Sequence, residues 1–243
     1  LVYAFFPGKA GDGCSVVAAN AAMSLARLPG NDVLLADFDL LAGTTRFLLK
    51  LQNAFSAYDA LEKAPELDGV LWSEIVTPRG ALAVLGSGEI RKPLDNQTIR
   101  LRQVMDFVRR QYRAVCLDLS GQMDEVAVEA LGEARRGFLV LTPELASVYL
   151  AREKVRYLRS IGLDDRLAVI VNRWHKDAPL HLAGIEELLG LPIQYTLPDD
   201  LPAVRTAMLE GVDVAPGSAL GKEFTKMAYS LSDARALQKA EPV

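Results

Sequence analysis

Only two cysteines, Cys14 and Cys116, occur in the 243-residue chain. They are too few and too far apart for a disulfide framework or a closed zinc site, which fits a reducing compartment; the chain is expected to be cytoplasmic. Long apolar runs are missing too. None approaches the ~18 residues of a membrane span, and no basic-then-apolar leader opens the chain, so membrane contact is expected only peripherally, through partners. Neither sign of charge dominates: the formal net charge of −4 gives no general reason for a nucleic-acid or anionic-membrane partner. The two histidines, His175 and His181, lie in a polar loop with no cysteine or carboxylate at metal-binding spacing, and read as surface residues. No Pro/Ser-rich linker, low-complexity tract or repeat divides the chain, so residues 1–243 are read as one domain. Leu1 runs straight into an apolar segment, from which an upstream segment, with a further domain, is expected to be missing.

What is present is ordinary globular material, half of it hydrophobic, enough for a sizeable core. Short apolar runs bounded by turn residues recur at 2–6, 33–38, 82–85, 114–119, 138–141, 167–171 and 193–197, as buried parallel strands do. Between most of them lie stretches with helical spacing, such as Leu101, Val104, Met105, Val108 and Tyr112. Strand-then-helix alternation predicts an α/β fold, a doubly wound and mostly parallel sheet with helices on both faces.

The first apolar run leads into Pro7-Gly8-Lys9-Ala10-Gly11-Asp12-Gly13-Cys14-Ser15, followed by an alanine-rich helical stretch. Strand, glycine loop, helix is the context in which such a loop binds phosphate. Gly11 and Gly13 let the backbone turn its N–H groups toward one centre, and the helix start adds its positive end. Ser15 could offer its hydroxyl to magnesium, cap the helix, or do both. Position 14, where a phosphate-holding lysine is expected, is a cysteine. The remaining cation in the loop, Lys9, stands where the deviant Walker motif (Lys-Gly-Gly-x-Gly-Lys-Thr/Ser) carries its additional lysine. In this the chain resembles the ParA/MinD superfamily of deviant Walker P-loop ATPases, over nearly its whole length. Loss of the second lysine is similar to the CpaE/TadZ branch of Flp/Tad pilus assembly.

Other segments extend the resemblance. Ala36-Asp37-Phe38-Asp39 resembles the first switch, in which Asp39 would face the attacking water and magnesium, although a carboxylate there can also cap the next helix. The run ending in Asp118 has the Walker B pattern and implies a magnesium ligand, with Ser120-Gly121 as second switch, where the family usually has a proline. Asn172-Arg173 at a strand end and Pro198-Asp199-Asp200 resemble the elements that read adenine and ribose, and Thr142-Pro143-Glu144-Leu145-Ala146-Ser147 resembles the loop after the second switch. The resemblance implies ATP and Mg2+ bound by residues 8–15, Asn172, Arg173 and 198–200, with Lys9 and Asp39 as catalytic residues and Ser15, Asp39 and Asp118 around the metal. It also implies a homodimer, with Lys9 reaching the partner's phosphates.

On this reading the chain is a nucleotide-gated localisation or assembly protein, with pilus or secretion proteins as partners and recruitment to the pole or inner membrane face. Hydrolysis is expected to be weak or absent because Cys14 supplies no charge. The alternatives are a hydrolysing ParA/MinD ATPase that positions DNA or division proteins, and a synthetase on the same fold, for which no second-substrate motif is present. Arg100, Arg102, Arg109, Arg110 and Arg113 load one helix with positive charge and read as a solvated face rather than a DNA surface. Phe224, Met227, Ala228 and Leu231 read as a docked terminal helix whose following turn, with Asp233, Arg235 and Lys239, lacks the basic face of a membrane anchor.

Overall fold

The computed structural model describes residues 1–238, with side chains described to residue 232. The Asp233, Arg235 and Lys239 side chains of the terminal-turn expectation lie outside the described residues. The first half of the chain gives β1 (Val2–Pro7), α1 (Cys14–Ala26), β2 (Val33–Asp37), α2 (Thr45–Leu48), α3 (Ala57–Glu62), α4 (Gly69–Ile75), β3 (Thr77–Arg79), β4 (Leu82–Leu85) and α5 (Gln97–Gln111). The second gives β5 (Ala114–Asp118), α6 (Glu125–Glu133), β6 (Arg136–Leu141), α7 (Leu145–Ser160), β7 (Leu167–Trp174), α8 (Leu182–Leu189), β8 (Ile193–Pro198), α9 (Leu201–Glu210) and α10 (Ala219–Gln238). All eight strands join one sheet in the order β3-β4-β2-β5-β1-β6-β7-β8.

The sheet is parallel except where β3 pairs antiparallel with β4 at its edge. All seven expected runs are strands. β3 was not among them: it has three residues, no apolar run, and Pro78 at its centre, a composition confined to sheet edges.

The continuous apolar runs follow from burial on both faces. Along β1, Val2, Ala4 and Phe6 enter one core layer under α3 to α8, while Tyr3 and Phe5 enter the other under α1 and α10. The alanines of α1 (Ala18, Ala21, Ala22) are buried between the sheet and α10, whose Phe224, Met227, Ala228 and Leu231 are buried as the terminal-helix reading expects.

On α5, Arg102 bonds Glu129 (Nη2 to Oε2 2.9 Å) and Arg109 pairs with Glu133 (2.6 Å), both on α6. Arg100 donates to the Leu61 and Glu62 carbonyls and Arg113 to that of Gly30, so four of these five arginines are engaged within the chain.

Candidate functional site

Six residues, 8–13, join β1 to α1 at the carboxyl edge of the sheet, where open α/β sheets bind ligands. Gly11 (φ +91°) and Gly13 (φ +87°) hold left-handed conformations that turn the chain inward. At Gly13 a side chain would also stand 2.6 Å from Asn172 Nδ2. Asp12 latches the loop: its buried carboxylate accepts from the Lys9 N–H (2.7 Å), the Ser147 hydroxyl (2.7 Å) and the Thr142 hydroxyl (3.2 Å). Burial pushes the Asp12 carboxyl up from its ordinary value, against these hydrogen bonds. The Asp12 carbonyl in turn accepts from Asn172 Nδ2 at 2.8 Å. Helix α1 starts with no side-chain cap, which leaves the amides of its first turn open to an anion.

A cavity of about 610 Å³ lies over this helix start, lined by residues 10–16 together with Asp39, Thr44, Asp118, Ser120, Gly121 and Arg173. A smaller recess of about 50 Å³ shares Gly13, Val16 and Arg173 with it and is walled by Asn172, Pro198, Asp199 and Asp200. The expected loop, acidic and base-reading segments therefore meet at one place. An irregularity in β7 between Val171 and Trp174 buries Asn172 and leaves Arg173 exposed, with Arg173 at φ +53°. Asp200 spends its side chain capping α9, accepting from Ala203 N at 3.3 Å. Gly8 and Lys9 do not line the cavity. The Lys9 ammonium lies outside it, 3.8 Å from Asp12 and 4.0 Å from Glu144.

Asp39 and Asp118 line the cavity, and Asp37 lies behind Asp118 without lining it. Asp37 and Asp118 pair across β2 and β5 in register, both buried. Asp37 accepts from the amides of Asp39 (3.1 Å) and Thr45 (3.0 Å), and burial pushes its carboxyl up to about 6. Asp118 is pushed up by burial and then by the negative charge of Asp37, while hydrogen bonds from Ser15 and Cys14 oppose the rise. Its Oδ2 is buried without a partner. Asp39 lines the cavity, and its carboxylate accepts from Ala42 N at 2.9 Å in the turn before α2 without capping that helix, which has Thr44 at its start.

Among the described residues no three His, Cys, Asp or Glu side chains form a ready metal cage. The donor set still fits magnesium: Ser15 and an orphaned carboxylate oxygen beside a phosphate cradle match an ion that keeps its waters and borrows phosphate oxygens. The Cys14 thiol is buried and held well above its ordinary value, first by burial and then by the charge of Asp118. It is a neutral donor to Asp118, not a reactive thiolate.

Sequence reasoning passed over Asp37 in favour of Asp39, although a strand-end carboxylate inside an otherwise apolar run was a signal. It also missed the Asp12 latch, whose partners lie 130 and 135 residues away.

No protein-family model matches the chain. A protein of Mesostigma viride named as the septum site-determining protein MinD is 27% identical over 240 residues, covering 93% of this chain and 79% of its own. Among solved structures, a ParA family ATPase from Chlorobium tepidum superposes with a TM-score of 0.83 at 25% identity, covering 95% of this chain and 98% of the other. The septum site-determining protein MinD of Pyrococcus horikoshii, complexed with Mg-ADP, gives 0.78 at 20% identity over 97% of both. No helix among the described residues is long and apolar enough to cross a membrane. The eight-stranded, mostly parallel sheet and these likenesses give the chain the fold of the ParA/MinD-type P-loop proteins.

Proposed function

We propose that the chain binds MgATP in this cavity and acts as a ParA/MinD-type switch, positioning cell-division or partition components through nucleotide-dependent self-association. The observation that carries the reading is the buried, unpartnered Oδ2 of Asp118 beside Ser15, beneath the uncapped start of α1. In this reading the loop amides hold the phosphates, Ser15 and Asp118 hold magnesium, and Asp39 orients the attacking water. Asn172 and the 198–200 segment take adenine and ribose. Lys9, outside the cavity, contacts the phosphates of a second copy in a homodimer. Magnesium supplies neutralisation of the charge that builds on the transferring phosphoryl group.

The likeness to MinD of Mesostigma viride favours division-site positioning over the pilus-assembly role. A second reading, a nucleotide-held scaffold of the CpaE/TadZ kind with pilus or secretion partners, is favoured by Cys14. A neutral thiol there withholds a cation, and losing one such contact raises a barrier by roughly 3 kcal/mol. MgATP titration read by both binding and oligomeric mass, followed by phosphate release with and without DNA or lipid vesicles, separates the two. Stimulated turnover favours the positioning ATPase; assembly without turnover favours the scaffold. Absence of MgATP binding refutes both.

A further inference from the structure

Lys154, on α7, is half-buried against the start of the phosphate loop. Its ammonium donates one proton to the Pro7 carbonyl at 2.7 Å. Lysine has three donors, and among the described residues no other acceptor hydrogen-bonds the remaining two and no carboxylate forms a salt bridge with it. Burial lowers its pKa, while Asp12 and Cys14 oppose the drop, which sets the ammonium within electrostatic reach of both loop residues. A half-buried cation without a paired anion is costly unless an anion arrives.

Its position says where the anion would be. Pro7 and Gly121 both line the large cavity, and a side chain at Gly121 would stand 3.3 Å from the Lys154 Nζ. Gly121 lines the cavity together with Asp39 and Asp118 and does not border the recess, which Asn172 and residues 198–200 wall. A nucleotide with its base in the recess would extend its phosphates into the cavity that Gly121 lines. Among the described residues the single cation lining the cavity is Arg173, which also borders the recess at the base-reading end. The phosphate end thus holds carboxylates and the neutral Cys14 but no lining cation.

We propose that Lys154 supplies the phosphate-binding charge that position 14 lacks, its ammonium turning from the Pro7 carbonyl to the terminal phosphates beside Gly121. The proposal rests on the reading of the cavity as an ATP site. It makes the phosphate cradle a product of two distant segments, the glycine loop and α7, with a flexible lysine stem bridging them. The competing role, a tether between α7 and the end of β1, needs the hydrogen bond and not the charge.

Titration calorimetry with MgATP and AMP distinguishes the roles. Lys154→Gln keeps a donor for Pro7 and removes the charge. It should weaken MgATP by about tenfold or more while changing AMP by less than about twofold, and Lys154→Arg should bind MgATP near the parent level. Unchanged MgATP affinity in Lys154→Gln, or an equal loss for AMP, overturns the assignment. If heat denaturation shows that Lys154→Gln does not fold, Lys154→Met is subject to the same ratio. A parent protein that binds no MgATP overturns the ATP-site reading and the assignment together; a parent that binds it, with Lys154→Gln indifferent, overturns the assignment alone.

Discussion

Alanine at Gly13 should harm the protein more than alanine at Gly11, although the two share nearly the same backbone conformation, φ +87° and +91°. A side chain in that left-handed region costs roughly 1–2 kcal/mol at either position. At Gly11 nothing lies within 4 Å of the added carbon, so the cost ends there. At Gly13 the carbon meets Asn172 Nδ2 at 2.6 Å and must displace an amide whose 2.8 Å bond holds the Asp12 carbonyl. Leaving a buried group of that kind unsatisfied adds about 1–3 kcal/mol, so Gly13→Ala should cost roughly 2–5 kcal/mol in all. Urea unfolding followed by tryptophan fluorescence measures both variants. Asn172→Ala removes the obstructing amide, so the Gly13→Ala/Asn172→Ala double variant should lose less than the two single variants summed. Equal costs at positions 11 and 13, or strict additivity in the cycle, would refute the argument that Gly13 is glycine because Asn172 lies against it.

Asn172→Ala should also erode the preference of ATP over GTP by on the order of 1–3 kcal/mol, more than it weakens phosphate affinity; equal affinities in the parent protein would sink the base-reading role. Lys9→Ala should abolish nucleotide-dependent dimerisation in sedimentation velocity while sparing binding by the single subunit, because its ammonium lies outside the cavity. Cys14→Lys should tighten MgATP yet restore little turnover, measured as phosphate release, since charge alone does not place the water or close the second switch at Ser120. Asp37 has a folded-state pKa raised to about 6, so its neutral form favours the fold and the contribution is lost as pH rises from about 3.8 through about 6. The melting temperature of Asp37→Asn relative to the parent should therefore shift in the variant's favour across that window, and a constant difference would disprove the burial argument.

The architecture was largely legible because parallel strands buried on both faces leave uninterrupted apolar runs, and seven of them were readable. β3 was invisible for the opposite reason: Thr77, Pro78 and Arg79 face little of the core and owe their strand geometry to β4 alone. The glycine loop was legible because backbone conformation demands glycine at fixed spacing. The assignment of Asp12 as a phosphate contact could not foresee that its side chain is consumed by Thr142 and Ser147, or that its carbonyl serves Asn172, 160 residues away. Lys154 was one cation among several on an amphipathic helix that also carries Arg152, Arg156 and Arg159. Its half-burial and its place beside Pro7 exist only once α7 docks against the edge where β1 ends.

The three-residue β3 also bears on how copies of this chain can meet. A sheet edge is a template for another strand, and uncontrolled fibres grow from such edges. Here the outermost strand on that side is too short to template much, has a proline at its centre, and is fastened by Arg79, whose guanidinium donates to the Gly211 carbonyl at 2.7 Å. Backbone-driven polymerisation is discouraged on that side whether or not a ligand is present, so any contact between copies across that edge has to use side-chain surfaces.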